Sequence, residues 1–381
     1  MECSAPWTDL DELARWCVEE QAVAPAAVVA CAYRRGGHWC VQQGAAGVRF
    51  GGDTKVSVST PFDLASVTKA VFAVTLARVI RSGLLDWSMP LDVPLRESHG
   101  TASASATLEL LAAHSAGLVA HVPLYEPLVQ GRGIHRFEAL RQAAAARRDE
   151  CEGPVPGEGF FPVYSDVGYL LLGEAVARAA HQPVDELVRV HVTAPLGISF
   201  GSARQQKCRD PMFEKHVAAT EEVAWRGGLV CGVVHDDNAW ALGDQGMCGH
   251  AGLFGTARDV VHFGTAVLDV LGGSVVTDGQ EHTWLTQSDL EPLVRRRHAG
   301  TLRAGFDGKS EAGSSAGSVC GPNTFGHLGF TGTSLWIDPD AQSVTVLLTN
   351  RVCPNRDSQT IKKVRPVVHD ALFQWARDHH S

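Results

Sequence analysis

The chain has 381 residues, 45% hydrophobic and 20% charged, with a formal net charge of -9 from 33 Lys and Arg against 42 Asp and Glu. This length is too great for one small core and predicts two domains, and the hydrophobic content excludes disorder. No segment reaches the roughly 18 consecutive apolar residues of a membrane helix, and the negative balance argues against nucleic acid or an anionic membrane as partner.

Met1-Glu2-Cys3-Ser4 lacks the basic start and apolar core of a secretory leader. The 10 cysteines include no C-x-x-C pair, which predicts reduced thiols and a cytoplasmic protein. Leu10 to Val23 has helical spacing, with Leu10, Leu13, Ala14, Cys17 and Val18 on one face. Ala26 to Tyr33, the turn Arg34 to His38 and Trp39 to Gln42 read as strand, turn, strand. In the middle, Val67 to Ser82, Thr107 to His114, Arg136 to Ala146, Val167 to Ala180 and Val184 to Val192 read as helices, with few strand signals among them. Asp307 to Pro322 is rich in Gly and Ser and is expected to be a mobile loop. Thr333 to Ile337 and Ser343 to Leu348 flank Asp338-Pro339-Asp340-Ala341 as a second hairpin, and Val364 to Arg377 is helical.

Helix plus hairpin at one end and hairpin plus helix at the other predict one antiparallel sheet built from both termini. The expected architecture is a discontinuous α/β domain, residues 1–64 and 250–381, with a mainly helical domain, residues 65–249, inserted in it. The active site is expected at their seam.

Ser66-Val67-Thr68-Lys69 opens the helix Val67 to Ser82. The i, i+3 spacing puts Ser66 and Lys69 on one face. A serine hydroxyl becomes a nucleophile when a nearby base takes its proton, and a lysine can be that base if desolvation lowers its pKa. Leu64, Ala65, Val67, Val71 and Phe72 provide apolar surroundings, and the helix start offers N–H groups to a developing oxyanion. Tyr164-Ser165-Asp166 precedes a second helix, and His327-Leu328-Gly329 precedes the run Phe330 to Trp336.

S-x-x-K, then Tyr-x-polar, then His-x-Gly, in that order, resemble the serine β-lactamase and penicillin-binding-protein superfamily, in particular the class C β-lactamase branch with its related esterases and D,D-peptidases. Thr107 to Leu118, Ala194-Pro195-Leu196-Gly197-Ile198, Gly249 to Ala257 and Gly326 to Asp338 are similar to further family segments. The resemblance implies a β-lactamase/transpeptidase-like fold and an acyl-serine mechanism. It makes Ser66 the nucleophile, Lys69 and Tyr164 its partners in proton transfer, and the N–H groups of Ser66 and Phe330 the oxyanion hole. Which of Lys69 and Tyr164 is the acylation base stays open. Gly329 would let the strand approach the substrate.

Two departures bear on substrate. His327 stands where many relatives have Lys, and Asp166 where Asn is more usual. A neutral imidazole and an anion beside Lys69 both weaken recognition of a carboxylate. The expected function is a carboxylesterase acting on an uncharged small-molecule ester. A D,D-peptidase, D-aminopeptidase or β-lactamase acting on an amide or lactam comes second, and a non-catalytic binding protein of the same fold third. No metal site or cofactor is expected, since there is neither H-E-x-x-H nor a Cys/His cluster at zinc spacing. Nothing indicates the oligomeric state.

Other candidates read as structural. Gly313-Ser314-Ser315-Ala316-Gly317 fits G-x-S-x-G but lies in a linker-like stretch, without the strand and helix that motif needs. Arg295-Arg296-Arg297 reads as a solvated face, His114 and His250 as packing or helix-end residues, and His235-Asp236 as a loop contact. His379-His380 is a frayed tail, and Trp225, Trp240 and Trp284 read as aromatic core.

Overall fold

A computed structural model describes residues 7–50, 54–243, 246–280, 282–297 and 300–380. Met1 to Pro6, including the start read for a leader and Cys3, lie outside the described residues. Six strands, β1 (Ala26–Arg35), β2 (His38–Gly47), β3 (Asp307–Gly308), β4 (Phe325–Leu328), β5 (Ser334–Asp338) and β6 (Ser343–Thr349), form one sheet in the order β2-β1-β6-β5-β4-β3. Every neighbouring pair is antiparallel. The N-terminal hairpin therefore docks on the C-terminal one, with Val28 opposite Leu348.

The β1 to β2 turn is tighter than the sequence suggests, with pairing continuing to Arg35 and His38. Only Gly36 and Gly37 turn, at φ 56° and 83°, a left-handed pair that matches the twist of the strands.

Eight consecutive residues of β1 are buried because helices cover both faces of the sheet. Ala26, Val28, Ala30 and Ala32 belong to the large core with Val261 and Val267 of α4 (Ala257–Leu271). Ala27, Val29 and Cys31 pack with Leu10 and Leu13 of α1 (Leu10–Arg15) and with Val364, Val368 and Leu372 of α5 (Ile361–His379). Sequence reading misses α4, although Thr256 and Asp259 form a capping box at its start and its apolar residues recur at helical spacing. Gly264 lets α4 lie close on β6: a Cβ there would stand 2.7 Å from the Val344 side chain.

Between the hairpins, α2 (Thr68–Arg81) and α3 (Asp166–Ala180) run through the middle of the molecule. Their buried residues share one apolar cluster with Leu335 and Val346 of the sheet. The strands described within 65–249 are the two-residue pair Glu222–Val223 and Gly228–Leu229.

One expectation is corrected. Asp307 to Pro322 is not a loose loop: β3 opens it, and Ala316 and Cys320 pack on Trp336 and Phe373. The Asp370 carboxylate accepts the N–H groups of Ser318 and Val319, and Lys309 Nζ donates to the Ser318 and Cys320 carbonyls. The arginine run is exposed at Arg295 and Arg296, as a solvated face would be, but it is tied down: Arg295 and Arg297 both pair with Glu109, and Arg296 donates to the Pro322 carbonyl.

Candidate active site

Ser66 lies in the 3-10 turn Ala65–Val67 that leads into α2. Ala65 just before it has φ 46°, an unfavourable conformation for a residue with a side chain. Asp63 holds this turn by accepting the Ala65 N–H at 2.8 Å and the His235 N–H at 2.7 Å. From the first turn of α2, Lys69 reaches back, and its Nζ donates to Ser66 Oγ at 2.9 Å, to Asp166 Oδ1 at 2.6 Å and to the His250 carbonyl at 3.3 Å. Lys69 is fully buried, whereas Ser66 is half-buried and open to a ligand.

Asp166 is the first residue of α3, and Ser165 caps that helix by accepting the Gly168 N–H. Tyr164 stands directly before the cap, close enough to Ser66 and Asp166 for both to influence its hydroxyl. Lys69 Nζ lies 4.7 Å from the Tyr164 ring centre. The structure thus brings Ser66, Lys69, Tyr164 and Asp166 together. Close packing of α3 on the 249–250 segment supports the cluster. A Cβ on Gly173 would sit 2.6 Å from Gly249 N, and one on Gly249 would sit 2.3 Å from the Tyr169 carbonyl.

Burial pulls Lys69 below its ordinary pKa, against the opposing carboxylate of Asp166. Burial alone would raise Asp166, but Lys69 and His250 outweigh it and hold the carboxyl below its usual value. Tyr164 is a weaker acid than a free tyrosine. Burial, then the Asp166 charge, push its hydroxyl well above 10, despite the nearby cation.

The third segment faces this cluster. Gly329 comes so close to the nucleophile turn that a Cβ would stand 2.7 Å from the Leu64 carbonyl and 3.3 Å from Ala65 Cβ. Only a glycine fits there. Among the described residues, no acceptor takes the N–H of Ser66 or of Phe330. His327 is buried, 5.9 Å ring to ring from Tyr164, and burial followed by the Lys69 charge pushes it down to about 3. Its Nδ1 is 2.7 Å from the Leu328 carbonyl, an acceptor only, so Nδ1 carries a proton, and the lowered pKa favours the neutral ring.

The discounted residues divide. The His114 ring lies 4.9 Å from that of Tyr164, tilted by 32°; its Nδ1 accepts the Ser165 N–H, and burial then Lys69 push it down to about 3. It supports the tyrosine from below. His235 and Asp236 are not partners of one another: His235 pairs with Glu221 at 2.8 Å and stacks on Phe330, whereas Asp236 pairs with His250 at 2.9 Å. Asp236, read from the sequence as a loop contact beside His235, is a second carboxylate whose field reaches Lys69. It is also the N-cap of the helix Asp237–Leu242. Ser314 Oγ accepts the Ala316 N–H inside the packed 307–322 segment, with neither strand nor helix around it. Trp284 is core, while Trp225 stacks between Tyr125 and a partly exposed Trp240. At the mouth of the site, Arg351 and Arg356 lie 4.5 and 5.6 Å over the Phe330 ring. No group of three or more metal-ligating side chains occurs among the described residues, and no described helix is long and apolar enough to cross a membrane.

Comparison with known proteins agrees with this arrangement. The Beta-lactamase family matches residues 17–368. A putative D-alanyl-D-alanine carboxypeptidase from Escherichia coli is 29% identical over 205 residues, 50% of this chain and 45% of that protein. The chain spans about half the length of the curated relatives it matches. Among solved structures, a class C β-lactamase from Rhodobacter sphaeroides superposes with a TM-score of 0.64 at 17% identity, covering 94% of this chain and 97% of that one. EstCE1, a hydrolase with promiscuous acyltransferase activity, superposes with a TM-score of 0.68 at 18% identity, covering 96% and 97%. The fold is thus the β-lactamase/transpeptidase-like α/β fold, and the chain is a member of the Beta-lactamase family, whose fold is that of a serine hydrolase superfamily.

Proposed function

We propose that this protein is a carboxylesterase that works through an acyl-serine intermediate on Ser66. The observation that carries the reading is Lys69 Nζ held between Ser66 Oγ and Asp166, 4.7 Å from the Tyr164 ring. The Ser66 proton passes into this shared cluster as Oγ attacks the substrate carbonyl. The N–H groups of Ser66 and Phe330 receive the oxyanion, which collapses with cleavage of the ester C–O bond as the cluster returns the proton to the leaving alcohol, and water then releases the acyl group as the acid. The active site lies at the seam between the sheet unit, 1–64 and 250–381, and the mainly helical insert, 65–249.

An uncharged ester is the substrate class because the groups beside Ser66 offer little to a carboxylate. His327 is neutral, and Lys69 is already paired with Asp166. Arg351 and Arg356 at Phe330 favour a second reading, an amide or peptide with a terminal carboxylate. Their donors are largely engaged, however: Arg351 bonds the Phe330 and Ser358 carbonyls, and Arg356 bonds Glu221. A panel of short p-nitrophenyl esters, D-amino-acid peptides and a chromogenic cephalosporin decides between them. The esterase reading requires kcat/KM for the esters to exceed the others by at least about 100-fold, a transition-state difference near 3 kcal/mol. A larger value for the peptides or the cephalosporin contradicts it.

A further inference from the structure

Behind the turn between β4 and β5, which carries Phe330, lies a cation without an anion. Arg365, on the inner face of α5, is 7% exposed. Its Nη2 donates to the Gly329 carbonyl at 2.7 Å and to the Thr333 carbonyl at 2.9 Å. Its Nε meets no acceptor, and no carboxylate pairs with it among the described residues. The nearest charged influence on it is Arg351, a like charge. Burying an unpaired guanidinium costs several kcal/mol, and a sequence that only had to brace a turn could do so with a neutral donor.

The acceptor explains the choice. The Gly329 carbonyl and the Phe330 N–H are the two ends of one peptide group. A charged donor on the oxygen draws electron density through the amide and strengthens the N–H at the other end as a donor. The preceding peptide is held at the same point, since the Gly329 N–H donates to the Thr333 carbonyl that Arg365 also holds. On the next residue, Arg351 Nε binds the Phe330 carbonyl at 2.8 Å, so the carbonyls on both sides of the Phe330 N–H are pinned by guanidinium groups. The positive charge stays unbalanced until a negative oxygen forms in front of Phe330, which is the condition for stabilising a transition state more than a ground state.

We infer that Arg365 is a positioning residue for acyl transfer, acting through the Gly329–Phe330 peptide to orient and polarise the oxyanion-hole N–H. It touches no substrate atom. The inference rests on the acyl-serine reading of Ser66.

Arg365→Lys, Arg365→Gln and Arg365→Met separate the field from the bracing. Kinetics with a p-nitrophenyl ester are read together with affinity for an alkyl boronic acid, whose adduct with a serine is a tetrahedral anion. Near-ultraviolet circular dichroism checks each fold. The expected result is a fall in kcat of about 3-fold for Lys, 10-fold for Gln and 30-fold for Met, with KM within 2-fold. Boronate affinity should fall by the same factors, since removing a direct oxyanion donor costs about 100- to 1,000-fold and Arg365 acts one peptide removed. Folded Gln and Met variants with kcat within 2-fold of wild type overturn the inference. So do changes confined to KM, or a failure of all three variants to fold, which would make Arg365 a purely structural residue. If wild-type Ser66 itself forms no adduct with a fluorophosphonate, the acyl-serine reading fails; if it does and the Arg365 variants behave as wild type, only the role of Arg365 fails.

Discussion

Two buried cations approach the reaction centre from opposite sides, Lys69 from the helical side and Arg365 from the sheet, and their surroundings differ. Lys69 meets a carboxylate at 2.6 Å, with a second one, Asp236, acting at longer range. Arg365 meets only backbone carbonyls. An ammonium group can gain and lose a proton near neutrality when burial and a carboxylate pull it in opposite directions, whereas a guanidinium keeps its charge. The helical side is therefore equipped to move a proton and the sheet side to present a fixed field. On the proposed mechanism the two cations are not interchangeable.

The sharpest way to break this division is to remove the proton partner. Lys69→Ala is expected to lower ester kcat by about 1,000-fold or more, far beyond any Arg365 variant, because general-base assistance is worth about 100- to 10,000-fold. Equal losses on the two sides, measured by stopped-flow release of p-nitrophenolate, would erase the distinction. A smaller effect follows from Asp166→Asn. The carboxylate works against burial on Lys69, so its loss lets the lysine pKa fall further. The acid limb of the kcat/KM profile, followed from about pH 5 to pH 9, then moves to lower pH. A limb that stays in place would mean that Lys69 does not set it.

The third effect is on stability and is the mildest near neutrality. His114 on the helical side, and His327 and His369 on the sheet side, are each pushed down to about 3, in every case chiefly by burial. Their unfolded counterparts titrate near 6.5, so the unfolded chain binds more protons below that pH. The stability they contribute is complete above about pH 6.5 and is lost as pH falls towards 3. Urea unfolding midpoints should thus decline across this window, and less so in His369→Gln, whose glutamine keeps hydrogen-bonding groups near Ser334 and Thr345 without a titrating ring. A midpoint that stays flat from pH 6.5 to about 4 would contradict the burial of neutral rings.

What the sequence made legible follows chain proximity. Ser66 and Lys69 are three residues apart on one helix, and Tyr164 and Asp166 share one helix start, so local spacing was enough to nominate them. The hairpins at the two ends were legible because a strand alternates with period two and Pro, Gly and Asp punctuate its turns. The link of Asp236 to Lys69 and the place of Arg365 were not legible. Each reaches the site through tertiary contacts, 167 residues from Lys69 in the first case and 36 from Gly329 in the second. An aspartate at a helix start and an arginine in a helix are common in any surface pattern. The 307–322 segment misled for a related reason: its Gly and Ser content suggested mobility, but the contacts that fix it come from Asp370 and Phe373 on the C-terminal helix. Composition cannot report a partner more than fifty residues away.

The account rests on Ser66 becoming covalently acylated. Intact-protein and peptide mass spectrometry after acid quenching of a p-nitrophenyl ester reaction tests this directly. The expected result is one acyl adduct, carried by the peptide containing Ser66 and lost in Ser66→Ala together with at least about 10,000-fold of kcat/KM. An adduct on Ser314 or elsewhere, or full activity in Ser66→Ala, would contradict it.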